Sequence, residues 1–581
     1  MENVNIKING IDCSVPKGST ILEAARIAGI EIPTLCYLKD INEIGACRIC
    51  VVEVKGARSL VAACVYPVNE GMEVTTNSPA VIESRKATLQ LMLSTHNKSC
   101  LSCVRSENCE LQKLCKDYGV DDVNRYEGEN PGGVYDTTAP HMYRDNSKCI
   151  LCRRCVAACD KVQSVGVIGA NDRGFSTHIG CAFEADLGEV ACVSCGQCIN
   201  VCPTGALSER DDTAKVFDAI NDPTKHVVVQ TAPAVRVGLG EEFCMPMGTI
   251  VTGKMVTALK MLGFDGVFDT NFSADLTIME EATEFLERYK EKKNLPLITS
   301  CSPGWIKFAE HYYPEFLNNL STCKSPQGMF GAVAKTYYAE KTGIAPEDIF
   351  VVSVMPCTAK KFEAERVDHT AVKGLADIDA SITTRELARM IKKAGIKFTS
   401  LPDGQYDSPF GLGSGAGTIF GATGGVMEAA LRTASEVVTG KPLTKLEFDD
   451  VRGVEGVKEA TYDLDGNVIR VAVASGLSNA RKVLDAVKSG EKQYDFIEIM
   501  ACPGGCVNGG GQPIYPAEVR NTVDVRKVRA DALYRDDQNL PVRKSHENPD
   551  VKRLYDEYLE HPGSHRSHAI LHTGYTPRPK Y

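Results

Sequence analysis

Short apolar runs separated by glycine- and proline-containing turns make up the first 79 residues. The runs at Val4–Ile8, Ile11–Val15 and Val51–Val54 have the length of strands. Thr20–Arg26 has the pattern of a helix start, with Glu23 three residues after the cap. These elements predict a small sheet packed on one helix, that is, an α+β domain over residues 1–79.

The pattern changes after Pro223, where strand-like runs begin to alternate with helix-like stretches. These runs are Val227–Val229, Leu297–Ile298, Ile349–Val354, Ile278–Lys290 and Thr384–Lys393. The alternation predicts a large α/β domain over residues 211–519, with loops at the strand ends. Residues 520–581 are charged and partly helical, and we expect them to pack on that domain.

Three further segments lie between these regions. Residues 80–120 have a helical pattern, and residues 121–140 are rich in Gly, Asn, Asp and Pro, which is typical of a linker. Residues 141–210 repeat one cysteine-containing unit. The chain is therefore predicted to be a multidomain protein that combines α+β and α/β parts.

Charge and composition narrow the classes of function. The net charge of −10 argues against a nucleic-acid-binding surface, and no apolar run reaches the roughly 18 residues of a membrane span. The polar start of the chain is not a signal peptide, so a cytoplasmic protein is expected. In such a chain, 24 cysteines with C-x-x-C spacing indicate metal ligation rather than disulfides.

A run of four cysteines occurs twice between residues 141 and 210. Each copy has the spacing C-x-x-C-x-x-C-x-x-x-C, the run of bacterial two-cluster ferredoxins, in which the fourth cysteine ligates the other cluster. A pair of structural zinc sites is the alternative, but zinc needs fewer cysteines than these interleaved runs supply. The predicted [4Fe-4S] ligand sets are Cys149, Cys152, Cys155 and Cys202 for one cluster, and Cys192, Cys195, Cys198 and Cys159 for the other.

Cys36, Cys47, Cys50 and Cys64 form a second pattern. Its first gap is longer than the C-x-x-x-x-C gap of plant-type [2Fe-2S] ferredoxins. The spacing alone leaves two alternatives, a [2Fe-2S] cluster and a zinc ribbon.

The third pattern is His96 followed by Cys100, Cys103 and Cys109. Three cysteines leave a four-ligand [4Fe-4S] cluster one ligand short, and either His96 or Cys115 supplies it. An imidazole ligand removes negative charge and raises the potential of a cluster.

Three cysteine-centred segments resemble the signature of the [FeFe] hydrogenases: Thr299–Trp305, Met355–Glu363 and Glu498–Cys506. The resemblance covers nearly the whole chain. It implies an N-terminal β-grasp-like [2Fe-2S] domain and a small histidine/cysteine [4Fe-4S] domain, both shared with complex I, and it favours His96 over Cys115. It also implies an H-cluster, a [4Fe-4S] cubane bridged to a di-iron unit with CO, cyanide and azadithiolate, which catalyses the reversible formation of H₂.

By this resemblance Cys357 and Cys502 ligate the cubane and Cys506 is the bridging thiolate. The family motif T-S-C-C-P-x-W has a proton-relay cysteine followed by the remaining cubane ligand, whereas this chain has Cys301 followed by Ser302. Either Cys301 is the relay and Ser302 occupies the ligand position, or the two roles are exchanged.

The resemblance assigns the proton path to Glu281, Glu284 and Ser321, and the contacts of the di-iron ligands to Lys360 and Met355. Further cofactor-contacting positions are implied at Ala232, Pro233, Gln327, Gly421 and Thr423. A solvated acidic helix face is the alternative for the two glutamates, which lie three residues apart.

The implied partners are ferredoxin and, by similarity to multimeric NAD-linked electron-bifurcating hydrogenases, flavin- and NAD-binding subunits. No NAD or flavin motif is visible in this chain. Two other functions fit parts of the sequence: an electron-relay subunit like the complex I input subunit, and a hydrogen sensor.

Overall fold

In the computed structural model, which describes residues 2–128, 135–443 and 445–580, the chain begins with a five-stranded mixed sheet. The first elements are β1 (Asn3–Ile8), β2 (Ile11–Pro16), α1 (Ile21–Ile27), β3 (Val51–Val54), β4 (Val61–Ala62) and β5 (Glu73–Thr75). The strand order is β2-β1-β5-β3-β4, with β1 parallel to β5. Thr20 and Glu23 form the capping box of α1. The predicted strands and helix start are confirmed.

The next part of the chain carries most of its cysteines in loops. Its elements are α2 (Pro79–Ser94), α3 (Glu110–Asp117), β6 (Tyr135–Asp136), β7 (Met142–Asp145), α4 (Arg154–Ala157), β8 (Gly169–Asn171), β9 (His178–Gly180), α5 (Gln197–Val201) and β10 (Leu207–Glu209). The helical pattern of residues 80–120 corresponds to α2 and α3. The linker expected at 121–140 falls partly on residues 129–134, which lie outside the described residues.

The large α/β part contains two four-stranded sheets. Its elements up to residue 393 are α6 (Thr213–Asn221), β11 (His226–Thr231), α7 (Thr252–Leu262), β12 (Gly266–Asp269), α8 (Thr270–Glu291), β13 (Leu297–Ile298), α9 (Pro303–Tyr312), α10 (Pro326–Val333), α11 (Ala339–Thr342), β14 (Ile349–Met355), α12 (Ala359–Ala364), β15 (Ala380–Thr383) and α13 (Thr384–Lys393). The remaining elements are α14 (Gly415–Ile419), α15 (Gly425–Thr439), β16 (Val457–Leu464), β17 (Asn467–Ser475), α16 (Leu477–Lys488), β18 (Phe496–Met500), α17 (Ala517–Arg520), α18 (Val525–Asn539), α19 (Pro549–Leu554) and α20 (His565–Leu571).

The two sheets have similar orders. One is β12-β11-β14-β15 and wholly parallel, and the other is β13-β18-β17-β16, in which only β16 runs antiparallel. The predicted strands and the α/β alternation are confirmed. None of the helices in the described part of the chain has the length and apolar character needed to cross a bilayer.

Four strands of these sheets end at the same region of the molecule. Loops carrying Ala232, Cys301, Cys357 and Cys502 follow the carboxyl ends of β11, β13, β14 and β18 respectively. The carboxyl ends of parallel strands are the usual place for a site in an open α/β fold.

Helix α8 lies against this region and is longer than the pattern at 278–290 predicts. It begins at Thr270 because the Asp269 side chain accepts a hydrogen bond from the Asn271 amide (3.0 Å) and caps the first turn. Its first turns, with Phe272 and Leu276, are completely buried, so they lack the amphipathic period that marks a surface helix.

Candidate functional site: a cysteine-lined cavity

The loops at the four strand ends enclose a cavity whose walls include Cys301, Ser302, Cys357, Cys502 and Cys506. Cys357 is the second residue after β14, and Cys502 is the second after β18. Burial, and then the charges of Cys357 and other nearby thiols, raise the pKa of Cys502 well above its usual value. Buried thiols gathered in this way are a set of soft ligands suited to iron–sulfur chemistry.

Cys301 and Ser302 point to different neighbours. Cys301 packs in the apolar cluster of α8 and α15, together with Cys506, and burial followed by the charge of Glu281 raises its pKa. The Ser302 hydroxyl accepts a hydrogen bond from the Ala501 amide (3.2 Å), next to Cys502. The thiol thus lies toward the carboxylates of α8, and the hydroxyl lies toward the Cys502 loop.

Lys360 is fixed at the cavity wall by three hydrogen bonds. Its ammonium group donates to the Cys301 carbonyl (3.2 Å), the Ser325 hydroxyl (2.7 Å) and Glu363 (2.8 Å). The Gln327 amide donates to the same Glu363 carboxylate (2.9 Å). This leaves a positioned cation beside the cysteines, in a wall that is otherwise mostly apolar.

The remaining predicted contact positions fall into two groups. Ala232, Pro233 and Met355 line the cavity together with Gln327. Gly421 and Thr423 lie behind the Cys502–Cys506 loop instead, where a Cβ on Gly505 would be 2.6 Å from the Thr423 amide nitrogen. These two residues therefore support the loop from outside and do not reach the cavity surface.

A hydrogen-bonded chain leads away from the cavity along α8. Glu281 bonds to Ser321, whose hydroxyl donates to Glu284 (2.9 Å). Arg288 donates to the other oxygen of Glu284 (2.5 Å). Burial, and then the charge of Glu284, raise the pKa of Glu281 to about 8. A carboxyl group that titrates near neutral pH is suited to proton transfer. The alternative of a solvated acidic face does not apply to Glu281, which is buried.

Residues 141–210, which are predicted to hold two clusters and are called the two-cluster region below, contact the cavity loops directly. The Thr358 hydroxyl donates to the Ser194 carbonyl (2.8 Å), and the Gln163 amide donates to the Ala501 carbonyl (2.9 Å). Gly196 and Gly510 meet without side chains between them, since a Cβ on Gly196 would lie 2.9 Å from the Gly510 Cα. Cys195 consequently lines the same cavity as Cys502.

The two repeated runs bring their eight cysteines into one small region. The thiols of Cys149 and Cys202 belong to the same buried cluster as Cys155 and Cys198, and the charges of neighbouring run cysteines raise the pKa of Cys198 after the larger effect of burial. None of these eight cysteines forms a disulfide. Eight reduced thiols packed together fit the two predicted clusters.

The four cysteines predicted to hold a [2Fe-2S] cluster also fit a shared metal group. Cys36, Cys47, Cys50 and Cys64 are buried and unoxidised, and the Cys50 and Cys64 sulfurs are 3.3 Å apart. The Cys47 amide donates to the Cys36 sulfur (3.5 Å), as expected of a loop that folds around sulfur ligands.

His96 lies in the loop after α2, before Cys100. Its Nδ1 atom is buried and has no hydrogen-bond partner within the described residues. Burial, and then the charge of Lys148, lower the pKa of His96 to about 4, so the ring is neutral at pH 7. A neutral imidazole with an unused buried nitrogen fits a metal ligand. Cys115 lies on α3. Burial, and then the charges of Cys109 and Cys100, raise its pKa, so its thiol also lies near this loop.

The sequence analysis assigns no role to Ser325 or Gln163, although these side chains fix the cavity loops. Each is an ordinary polar residue whose partner is distant in the chain. Thr358 and Glu363 lie inside the Met355–Glu363 segment, but the segment alone does not show which residues they contact.

Known families match the chain in order along its length. The 2Fe-2S iron-sulfur cluster binding domain matches residues 1–79, the NADH-ubiquinone oxidoreductase-G iron-sulfur binding region matches 85–124, and the 4Fe-4S dicluster domain matches 148–206. The iron only hydrogenase large subunit, C-terminal domain, matches 225–510, and the iron hydrogenase small subunit matches 523–578.

The fold and the cysteine-lined cavity are those of the iron-only hydrogenases, and the chain belongs to that family. It is an enzyme with an H-cluster domain and accessory iron–sulfur domains.

Individual relatives and a solved structure agree with this assignment. The chain is 49% identical to the NADP-reducing hydrogenase subunit HndD of Solidesulfovibrio fructosivorans, with 100% of each chain covered. It is 47% identical to iron hydrogenase 1 of Clostridium pasteurianum, with 98% of this chain and 99% of the relative covered. The solved structure of apo [FeFe]-hydrogenase HydA1 from Chlamydomonas reinhardtii matches with a TM-score of 0.56 and 43% identity, over 64% of this chain and 100% of that chain.

Proposed function

We propose that this chain is the hydrogen-activating subunit of a multi-subunit, pyridine-nucleotide-linked hydrogenase. The observation that carries the proposal is the convergence of Cys357, Cys502 and Cys506 at the ends of parallel strands, beside Cys195 of the two-cluster region. An H-cluster bound there supplies the reversible conversion of 2 H⁺ and 2 e⁻ into H₂. The protein supplies ligands, a proton path and an electron path.

Cys357 and Cys502 are the proposed cubane thiolates, and Cys506 is the proposed bridge to the di-iron unit. Ser302 is the proposed fourth cubane position, because its hydroxyl lies against the Ala501 amide of the Cys502 loop. Cys301 is the proposed proton relay, because it lies beside Glu281. Lys360, which is held at the cavity wall, would donate to an anionic cyanide ligand, and Met355, which lines the same cavity, would contact the di-iron unit.

We propose one [2Fe-2S] cluster on Cys36, Cys47, Cys50 and Cys64, and three accessory [4Fe-4S] clusters. The first of these is held by His96, Cys100, Cys103 and Cys109, and the unpartnered Nδ1 of His96 supports histidine rather than Cys115. The other two use the interleaved runs of residues 149–202 as the spacing predicts.

Glu281, Ser321 and Glu284 are the proposed proton carriers between Cys301 and the surface. Glu281 holds a proton at pH 7 because burial disfavours its ionised form. Ser321 joins the two carboxyl groups and can pass a proton in either direction.

The proposed partners are ferredoxin and flavin- and NAD(P)-binding subunits, with electron bifurcation between them. Support comes from the full-length similarity to a subunit of an NADP-reducing hydrogenase. We propose the domain division 1–79, 80–120, 141–210, 211–519 and 520–581, with a linker at 121–140. A cytoplasmic location is proposed because its reducing conditions keep 24 thiols available as ligands.

The test is infrared spectroscopy of anaerobically purified protein that has been coexpressed with the hydrogenase maturation proteins, with an H₂-uptake assay on the same sample. We expect CO and cyanide bands together with turnover, and reduction of NADP⁺ only when flavin-bearing partner subunits are added. Full accessory-cluster iron without CO and cyanide bands would instead make the chain an electron relay, with Ser302 as the first residue to examine.

A further inference from the structure

The proton path proposed above must reach solvent beyond Glu284, and the structure offers two neighbours for that step. One is Arg288, which donates to Glu284 (2.5 Å) and to the carbonyl oxygens of Leu320 (2.9 Å) and Asn319 (3.3 Å). A guanidinium group has only donors and keeps its proton in proteins. Arg288 therefore anchors Glu284, and it cannot accept and release a proton in each turnover.

The other neighbour is Thr322. Its hydroxyl lies 3.1 Å from the same Glu284 oxygen that Arg288 contacts and 2.7 Å from Nδ1 of His572. A hydroxyl group both donates and accepts, so Thr322 can pass a proton between a carboxyl group and an imidazole. The C-terminal segment is held in place here, because the Thr573 amide donates to the Thr322 carbonyl (2.8 Å).

Glu280 orients the His572 ring. His572 Nε2 lies 3.1 Å from a Glu280 oxygen. That carboxylate also accepts hydrogen bonds from the hydroxyl of Tyr555 (2.5 Å), the amide of Gly563 (3.0 Å) and the hydroxyl of Ser567 (3.3 Å). An acceptor with so many donors fixes the proton of the neutral imidazole on Nε2 and leaves the Nδ1 lone pair facing Thr322. A carboxylate, an imidazole and a hydroxyl in this order are the arrangement that orients histidine bases in hydrolytic enzymes.

We infer that protons leave the buried path from Glu284 through the Thr322 hydroxyl to the His572 imidazole, which Glu280 orients, and not through Arg288. This inference rests on the proposed function of Glu281, Ser321 and Glu284. Protonated Glu284 gives its proton to the Thr322 oxygen while Thr322 gives its own hydroxyl proton to His572 Nδ1. The products are a carboxylate, an unchanged hydroxyl group and an imidazolium, whose charge Glu280 balances.

The outer end of this branch reaches the surface at helix α20. The His572 side chain is 6% exposed, and its ring stacks on that of the exposed His568 with centroids 3.9 Å apart. Charged and titratable groups facing the His572 ring are Glu280, Glu284, Cys323 and His568. An imidazolium at this place can return its proton to water, and reprotonation follows the reverse route for H₂ evolution.

The test uses the matured holoenzyme and four variants: His572→Gln, Thr322→Val, Thr322→Ser and, as the control, His565→Gln. His565 lies on the same helix, is exposed and is not part of the hydrogen-bonded chain. We expect His572→Gln and Thr322→Val to lower turnover by about 10²-fold, the usual contribution of a positioned proton carrier. Thr322→Ser keeps the hydroxyl and should recover most of the turnover that Thr322→Val loses, and the His565→Gln control should keep wild-type turnover. Infrared bands of the H-cluster should be present in all of them, which separates loss of proton transfer from loss of folding or maturation.

Chemical rescue gives a readout that a purely structural role would not move. Added imidazole should restore a large part of the turnover of a His572→Ala variant and leave Glu281→Gln unaffected. Turnover of His572→Gln within about twofold of wild type, or a loss in His572→Ala that imidazole does not relieve, would overturn the inference. If Glu281→Gln is slow while His572→Gln is normal, only this branch is wrong. If both are normal, the proposed proton path itself is wrong.

Discussion

Replacing Glu281 by glutamine tests the electrostatics of the proton path most directly. The carboxyl group is 1% exposed, and burial, followed by the charge of Glu284, raises its pKa from 4.5 to about 8. Each unit of that shift corresponds to about 1.4 kcal/mol. Ionising Glu281 in the folded protein therefore costs about 5 kcal/mol more than ionising it in the unfolded chain.

This difference makes the stability of the wild-type protein depend on pH. Between pH 4.5 and about 8 the unfolded chain has an ionised Glu281 while the folded protein keeps the proton. The free energy of unfolding consequently falls as pH rises through that window, by about 1.4 kcal/mol per pH unit, and levels off above it. Glutamine does not titrate. We therefore expect the stability of Glu281→Gln relative to wild type to increase by about 2.5 kcal/mol from pH 6 to pH 8.

Thermal unfolding at a fixed scan rate provides the measurement. A cooperative unit of roughly 300 residues has an unfolding entropy of about 0.6 kcal/mol/K, so the difference in Tm should widen by about 4 °C between pH 6 and pH 8. Glu287→Gln is the matched control, because Glu287 is exposed on the same helix and should show no such widening. Turnover should fall by about 10²-fold or more in Glu281→Gln alone.

Three results would refute this reasoning. Equal Tm differences at pH 6 and pH 8 would show that the pKa of Glu281 is not raised, and would remove the electrostatic basis of the path. A protonated-carboxyl infrared band at pH 7 that persists in Glu281→Gln would show that the titrating group is another residue. Wild-type turnover in the variant would exclude Glu281 as a carrier, whatever its pKa.

Three further predictions concern other parts of the molecule. Ser302→Cys should increase the iron retained by the cubane and change its electron paramagnetic resonance signal, whereas an unchanged signal would place the fourth ligand at Cys301. His96→Cys should lower the potential of its cluster in a redox titration, because a thiolate adds negative charge; an unchanged potential would favour Cys115 as the ligand. Arg432→Met should destabilise the protein by about 1–3 kcal/mol, since it removes the buried guanidinium that joins Glu428 and Asp537. Each carboxylate then keeps one hydrogen-bonded cation, Arg452 for Glu428 and Arg543 for Asp537. The exposed pair of Lys445 gives the control: Lys445→Met should change the Tm hardly at all.

The sequence predicts the strands and cysteine loops well, because these depend on local patterns. The run Leu297–Ile298 is a strand in the structure with the same limits, and Thr384–Lys393 is a helix with the same limits. The ligand sets of the cysteine runs are likewise predicted from spacing alone. Clusters impose such short-range constraints because one loop has to wrap several ligands around one group.

Contacts between distant segments could not be predicted in this way. Thr322 and His572 are 250 positions apart and meet only because the C-terminal segment pairs with the loop before α10. The family resemblance implies that Gly421 and Thr423 contact the cofactor, but tertiary packing places them behind the Cys502–Cys506 loop. The start of α8 at Thr270 is not predicted, because polar residues such as Asn271 and Asp275 are buried in these turns together with Phe272, and the amphipathic period of a surface helix is absent.

The contact of Gly196 with Gly510 limits which domains can be exchanged between hydrogenases. A Cβ on Gly510 would lie 2.5 Å from the Cys195 carbonyl oxygen, and a Cβ on Gly196 would lie 2.4 Å from the Thr358 hydroxyl. The two-cluster region and the H-cluster domain thus contact each other through backbone atoms here, so a side chain on either glycine would force the two domains apart. Exchange of the two-cluster region between hydrogenases should succeed only if both parent proteins have glycine at these two positions. The two glycines would then have to be kept as a pair for the electron path between the domains to be preserved.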